Sequence, residues 1–232
     1  MIRMPKLLLA LALIALPVLS GCAGNERVFK NLAKTEIDFI ADAHLREMNR
    51  LMQNLLVKLY KRNPRELQKS FGSSVEQRQQ QIFAAPGRLI FAELDNRQGT
   101  DALELAFRAD FAGDRVFAVM VGLTGMVRGS YNWQDEQFLF DSLDPQQLFD
   151  CARNLEILAW RLSNRRDAKG NLLLLTNSQA GEVENLSFER LYGKMIAVQD
   201  MLAFVLAGKL DRGLSRVAQG ALSTALFLPM GL

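Results

Sequence analysis

Apolar positions recur with the period of an α-helix over most of the chain. Ile37, Ala41, Leu45, Met48, Met52, Leu55 and Leu59 return every three or four residues, and no Gly or Pro interrupts them before Pro64. The spacing predicts one long amphipathic helix over 26–62. Pro64 suits the first turn of a second helix, Gly72-Ser73-Ser74 forms a break with a fresh cap, and 75–84 is short and Gln-rich. Asp101 with Glu104 three residues on predicts a helix over 101–112. Residues 116–127 carry no charge, and Asp114 is placed to cap them. Asp144-Pro145, with Gln147 three past the Asp, starts a helix that runs to about Asn164. Leu191, Met195, Val198, Leu202 and Val205 mark another over 188–207, and a last one is expected over 210–227, before Pro229.

Two short apolar runs do not declare themselves. "RLIFAEL", 88–94, reads as strand or helix, and "LLLLT", 172–176, as strand or buried connector. Pairing of the two would make one short two-stranded β element. No repeat of constant period is visible, so the expected fold is mainly α, an irregular helical bundle or stacked α-hairpins. Within 116–127 and just beyond, Ala118, Gly122, Gly125 and Gly129 form a stripe of small residues. Such a stripe is a helix-pairing signal in membranes, whereas in a water-soluble chain it is an internal packing seam, the reading preferred here. Twelve residues are too few to cross a bilayer.

The first residues follow a different pattern. Arg3 and Lys6 precede the uncharged run 7–19, and then come Leu19, Ser20, Gly21 and Cys22. A basic start and an apolar run of this length make a secretory signal rather than a permanent span. The end of it resembles the lipobox of bacterial lipoproteins. That resemblance implies cleavage before Cys22, a diacylglyceryl group on the Cys22 sulfur and acylation of the new amino terminus. It implies a signal over 1–21, a lipidated Cys and tether over 22–27, and one helical periplasmic domain over 28–232. The residue after the Cys is Ala23 rather than Asp. By the sorting rule of enteric lipoproteins this points to the periplasmic leaflet of the outer membrane, with the inner membrane as the alternative. The segments "FAGDRVFAVMVGL", "DSLDPQQLF" and "NLSFERLYGKMIAVQD" resemble a group of uncharacterised proteobacterial lipoproteins, a likeness that implies no activity.

Charge changes the picture little. The chain has 28 basic and 25 acidic residues, and removing 1–21 leaves 26 against 25, close to balance, so nucleic acid is not an expected partner. Of the two cysteines, Cys22 is committed to lipid, which leaves Cys151 without a partner for a disulfide. Leu148, Cys151, Leu155, Leu158 and Leu162 share a helical face, so Cys151 is read as a small buried hydrophobe.

Candidate chemistry is sparse. The single histidine, His44, lies on the apolar side of the first helix and is read as a packed core residue. No nucleophile elbow, phosphate loop, dinucleotide fingerprint or calcium loop occurs, and no cofactor or metal is expected. The acidic pairs Asp141/Asp144, Asp135/Glu136 and Glu182/Glu184 would serve a cell-wall glycan hydrolase only if two of them faced each other across a cleft. Lys58, Lys61, Arg62, Arg65 and Lys69 form a basic cluster, read either as a solvated face or as a contact for anionic lipid. The expected function is a non-enzymatic, membrane-anchored envelope scaffold or accessory factor that binds a protein partner. A lipid-handling module, with 116–127 and 217–232 walling a groove, is the alternative, and the hydrolase stands behind both.

Overall fold

The computed structural model describes residues 34–70, 72–84, 86–138, 143–209 and 226–230. The expected signal over 1–21, the expected lipidated Cys22 and tether over 22–27, Asp141 and most of the expected 210–227 helix lie outside the described residues. Among those described, the chain forms seven α-helices and no strand. They are α1 (Glu36–Arg62), α2 (Pro64–Gln68), α3 (Val75–Phe83), α4 (Gly99–Ala106), α5 (Arg115–Ser130), α6 (Pro145–Asn164) and α7 (Ser187–Lys209).

Local chemistry sets the ends of these helices. Thr35 and Asp38 form a reciprocal capping box that starts α1, with the Thr35 amide donating to the Asp38 carboxylate at 2.6 Å. Ser74 and Gln77 do the same for α3. Asp114 caps α5 through the Phe117 amide at 2.9 Å, and Asp144 caps α6 through the Gln146 amide at 2.9 Å. Asp101 does not cap α4. That helix begins at Gly99, behind a Gln98 whose side chain makes no cap bond. Close packing decides its start: a Cβ on Gly125 would lie 3.0 Å from the Gly99 amide nitrogen, and one on Gly122 would lie 2.8 Å from the Gly99 carbonyl oxygen. The small-residue stripe is therefore an internal seam between α4 and α5.

α5 is the centre of the core, with every residue from Arg115 to Ser130 buried. Its two charged ends are held by carbonyls. Arg115 donates to Arg108 O at 2.8 Å, and Arg128 to Gly87 O at 3.0 Å and Ile82 O at 3.2 Å. Tyr60 donates to Asp114 at 2.7 Å, which fastens α1 to the cap of α5. Burial and the neighbouring Asp114 carboxylate both push the Tyr60 hydroxyl well above its ordinary range.

Neither ambiguous apolar run is a strand. Residues 88–91 are irregular, and Ala92–Leu94 is one 3-10 turn closed by Asp95 and Asn96 in the left-handed region. The amides of the turn bond locally, Leu94 N to Phe91 O, Asp95 N to Ala92 O and Asn96 N to Phe91 O. Residues 172–176 are the buried connector. Asn63, at the end of α1, donates to Leu175 O at 2.8 Å and accepts from Leu175 N at 2.7 Å, which seats Leu174 and Thr176 in the interior. The two runs do not pair; an isolated bridge joins Arg166 and Leu172 instead.

α6 and α7 form an antiparallel hairpin. Arg153 meets Asp200 at 2.7 Å, and Gln199 donates to Cys151 Sγ at 3.1 Å and to Ser130 Oγ at 3.2 Å. Cys151 is fully buried as expected, and burial pushes its thiol up to about 12. The described C-terminal residues, 226–230, are not helical; they lie back on α6. Asn154 clamps Leu228 through both backbone groups, at 3.0 and 2.6 Å, Arg161 covers the Phe227 ring at 4.2 Å, and Met230 is buried.

Candidate functional site

α7 has two flanks, and each meets a neighbour in an open groove. On one side α1 runs antiparallel to it. Lys58 donates to Ser187 Oγ, Glu47 lies near Lys194, and His44 bonds the Val198 backbone. Between the two helices lies a groove of about 410 Å³. α1 contributes Asn54, Val57, Lys58 and Lys61, and α7 contributes Ser187, Arg190, Leu191 and Lys194. Both sets follow the spacing i, i+3, i+4, i+7, so each helix presents one face with an aliphatic floor residue between polar and cationic ones. Lys61, Arg190 and Lys194 are exposed and form no ion pair among the described residues. Lys58 also lies over the Phe188 ring at 5.2 Å. The start of α7 adds the partial positive charge of a helix amino terminus.

The basic cluster read from the sequence is thus split. Lys58 and Lys61 face the groove. Arg62 turns to Glu182, Arg65 is exposed on α2, and Lys69 pairs with Glu66 at 2.7 Å and reaches Gly113 O at 3.2 Å. Arg190 and Lys194 replace the residues that leave. Their spacing of four was visible in the sequence, but their opposition to Lys58 and Lys61 comes only from the antiparallel packing.

On the other flank, against α6, lies a second groove of about 410 Å³ that includes Glu156, Trp160, Glu189, Tyr192, Gly193 and Ile196. Trp160 is 50% exposed. The Tyr192 hydroxyl is buried and has no hydrogen-bond partner among the described residues; burial raises its ionisation well above the ordinary value. Neither Trp160 nor Tyr192 was singled out by periodicity, because an aromatic at a helical spacing reads first as core.

The remaining sequence candidates have other surroundings. His44 is half-buried, and burial lowers its pKa. Asp144 is a cap. Glu182 is held below the usual carboxylate range by the Arg62 hydrogen bond and accepts the Gln179 amide at 3.0 Å. Asp135, Glu136 and Glu184 are exposed, and Glu136 lies 3.5 Å from Lys34. Among the described residues, no cluster of three His, Cys, Asp or Glu is placed to hold a metal ion. Comparison with protein-family models, curated proteins and solved structures yields no match.

Proposed function

We propose that the protein is a lipid-anchored envelope protein, held by acyl chains on Cys22 at the periplasmic leaflet of the outer membrane, and that its helical body is a non-enzymatic scaffold for a protein partner. The observation that carries the partner reading is the α6/α7 groove. A half-exposed tryptophan beside an aliphatic and aromatic floor, Ile196 and Tyr192, has the composition of an interface hot spot. The acidic rim, Glu156 and Glu189, favours a partner with a basic or amide-rich segment. The 116–127 segment, which the lipid-handling alternative needs as a pocket wall, is instead core packing in α5.

A photo-reactive amino acid at Trp160 is expected to give one discrete adduct in living cells, lost when Ile196 is changed to Glu. A diffuse smear, or an adduct indifferent to I196E, would overturn the partner reading. The anchor is checked separately: radiolabelled palmitate is expected to mark the wild-type chain and not the Cys22→Ser variant.

A further inference from the structure

The α1/α7 face has two unlike ends. Met201 lies seven residues beyond Lys194, and Val205 lies eleven beyond it, two and three helical turns respectively. On α1, Phe39 precedes Val57 and Ile40 precedes Lys58 by eighteen residues each, five full turns. The face that carries Lys58, Arg190 and Lys194 at one end therefore carries Phe39, Ile40, Met201 and Val205 at the other. All four of these apolar side chains are exposed, Met201 by 59%. Eighteen residues separate the two ends by roughly 27 Å. The acid between them, Glu47, is taken up by Arg50 at 2.5 Å.

We propose that this face is a membrane-docking surface for a bilayer containing anionic phospholipid. The apolar end enters the interface, and the groove between α1 and α7 seats a lipid phosphate among Lys58, Lys61, Arg190 and Lys194. Charge complementarity and exposed aliphatic and aromatic side chains on one face are what an interfacial helix pair needs. The inference rests on the anchor reading: Cys22 is twelve residues from Lys34, at the apolar end of the pair. Those residues span at most about 40 Å. That maximum reach exceeds the length of the face, so an anchor at Cys22 is compatible with the pair lying along the membrane. The α6/α7 groove, on the other flank of α7, then remains open to the periplasm.

The test uses the full chain with its native acyl groups, reconstituted into vesicles of phosphatidylcholine alone or mixed with phosphatidylglycerol. With Cys22 acylated and Cys151 buried, a Met201→Cys substitution supplies a single reactive thiol for a spin label. In phosphatidylglycerol vesicles the label at 201 is expected to be accessible to oxygen and shielded from an aqueous nickel chelate, whereas a label at Glu184→Cys stays aqueous. Charge reversal by K61E with K194E is expected to shift the docked-to-free ratio at least about tenfold towards free. R65E, off the face, leaves it unchanged. Flotation with the vesicles but an aqueous label at 201, shielding equal in phosphatidylcholine alone, or indifference to K61E/K194E overturns the docking surface and leaves the anchor standing. Failure to float at all overturns the anchor, and the docking surface with it.

Discussion

α5 and α7 are both long and apolar, and only one of them is core. α7, Ser187–Lys209, is long and apolar enough to cross a membrane by length and composition, yet it leaves Met201, Phe204 and Val205 exposed. α5 is shorter and is buried at every position. Their glycines show why. A Cβ on Gly122 would lie 2.8 Å from both the Gly99 carbonyl oxygen and the Leu103 amide nitrogen, whereas one on Gly193 or Gly208 would meet nothing within 4 Å. Small residues in α5 admit a neighbouring backbone; small residues in α7 leave open space beside it. Mean apolarity says that a helix wants partners, and side-chain size along its stripe says how many can approach.

The inner side of α7 gives the sharpest way to break this contrast. In a Cys22→Ser chain Cys151 is the sole thiol, and α7 covers it through Gln199. A thiol pushed up from 9.0 to about 12 has about a thousandfold less thiolate at neutral pH, so native labelling by iodoacetamide is expected to be slower by at least that factor than in urea. Native labelling at the unfolded rate, followed by mass spectrometry, would mean that α7 is not seated on α6.

Next in size is a matched pair. Gly122→Val drives a side chain into backbone that has no rotamer to give, and a loss of about 3 kcal/mol or more is expected in urea denaturation. Gly193→Ala fills open space in a helix interior and is expected to stabilise by about 0.5–1 kcal/mol. Equal effects at the two positions would remove the distinction between the helices. Asp114→Ala is expected to cost about 2–3 kcal/mol, because it removes the α5 cap, leaves the buried Tyr60 hydroxyl without its acceptor and takes away the carboxylate 3.8 Å from the buried Arg78.

The smallest effect belongs to His44, where α1 meets α7. Its folded pKa lies below the ordinary imidazole value of 6.5, lowered by burial. Below that value the unfolded chain takes up a proton that the native state resists. The contribution is therefore unfavourable to the fold as pH falls through 6.5 towards the folded pKa. His44→Gln keeps a donor for the Val198 backbone and is expected to flatten the acid limb of the stability profile. An unchanged slope would place the imidazole in open water.

Much of this fold is legible in the chain. The 3.6-residue period locates α5, α6, α7 and the body of α1, whose expected start at 26 gives way to the Thr35 cap and a first helical residue at Glu36, and Asp114, Asp144 and Pro64 mark starts that the structure keeps. Errors fall where local signals compete with tertiary contacts. Asp101 looks like a cap, but α4 starts two residues earlier because Gly99 must reach Gly122 and Gly125. "RLIFAEL" and "LLLLT" look like strand partners, but Arg128 and Asn63 tie the first region and the second to different helices. The candidate surfaces were legible in halves: Lys58 and Lys61 stand in one cluster, Arg190 and Lys194 in another, and nothing in the linear order says that they face one another.

The sequence by itself determined most of the helices, most of their caps and the burial of Cys151, because each depends on residues within a few positions of one another. Only the tertiary structure decided which apolar helix lies at the centre, where Trp160 is exposed, and that Lys58 and Ser187, 129 residues apart, meet in one groove with Lys61, Arg190 and Lys194. Those are outcomes of packing, in which backbone approach and antiparallel register couple distant segments through contacts that no local pattern encodes.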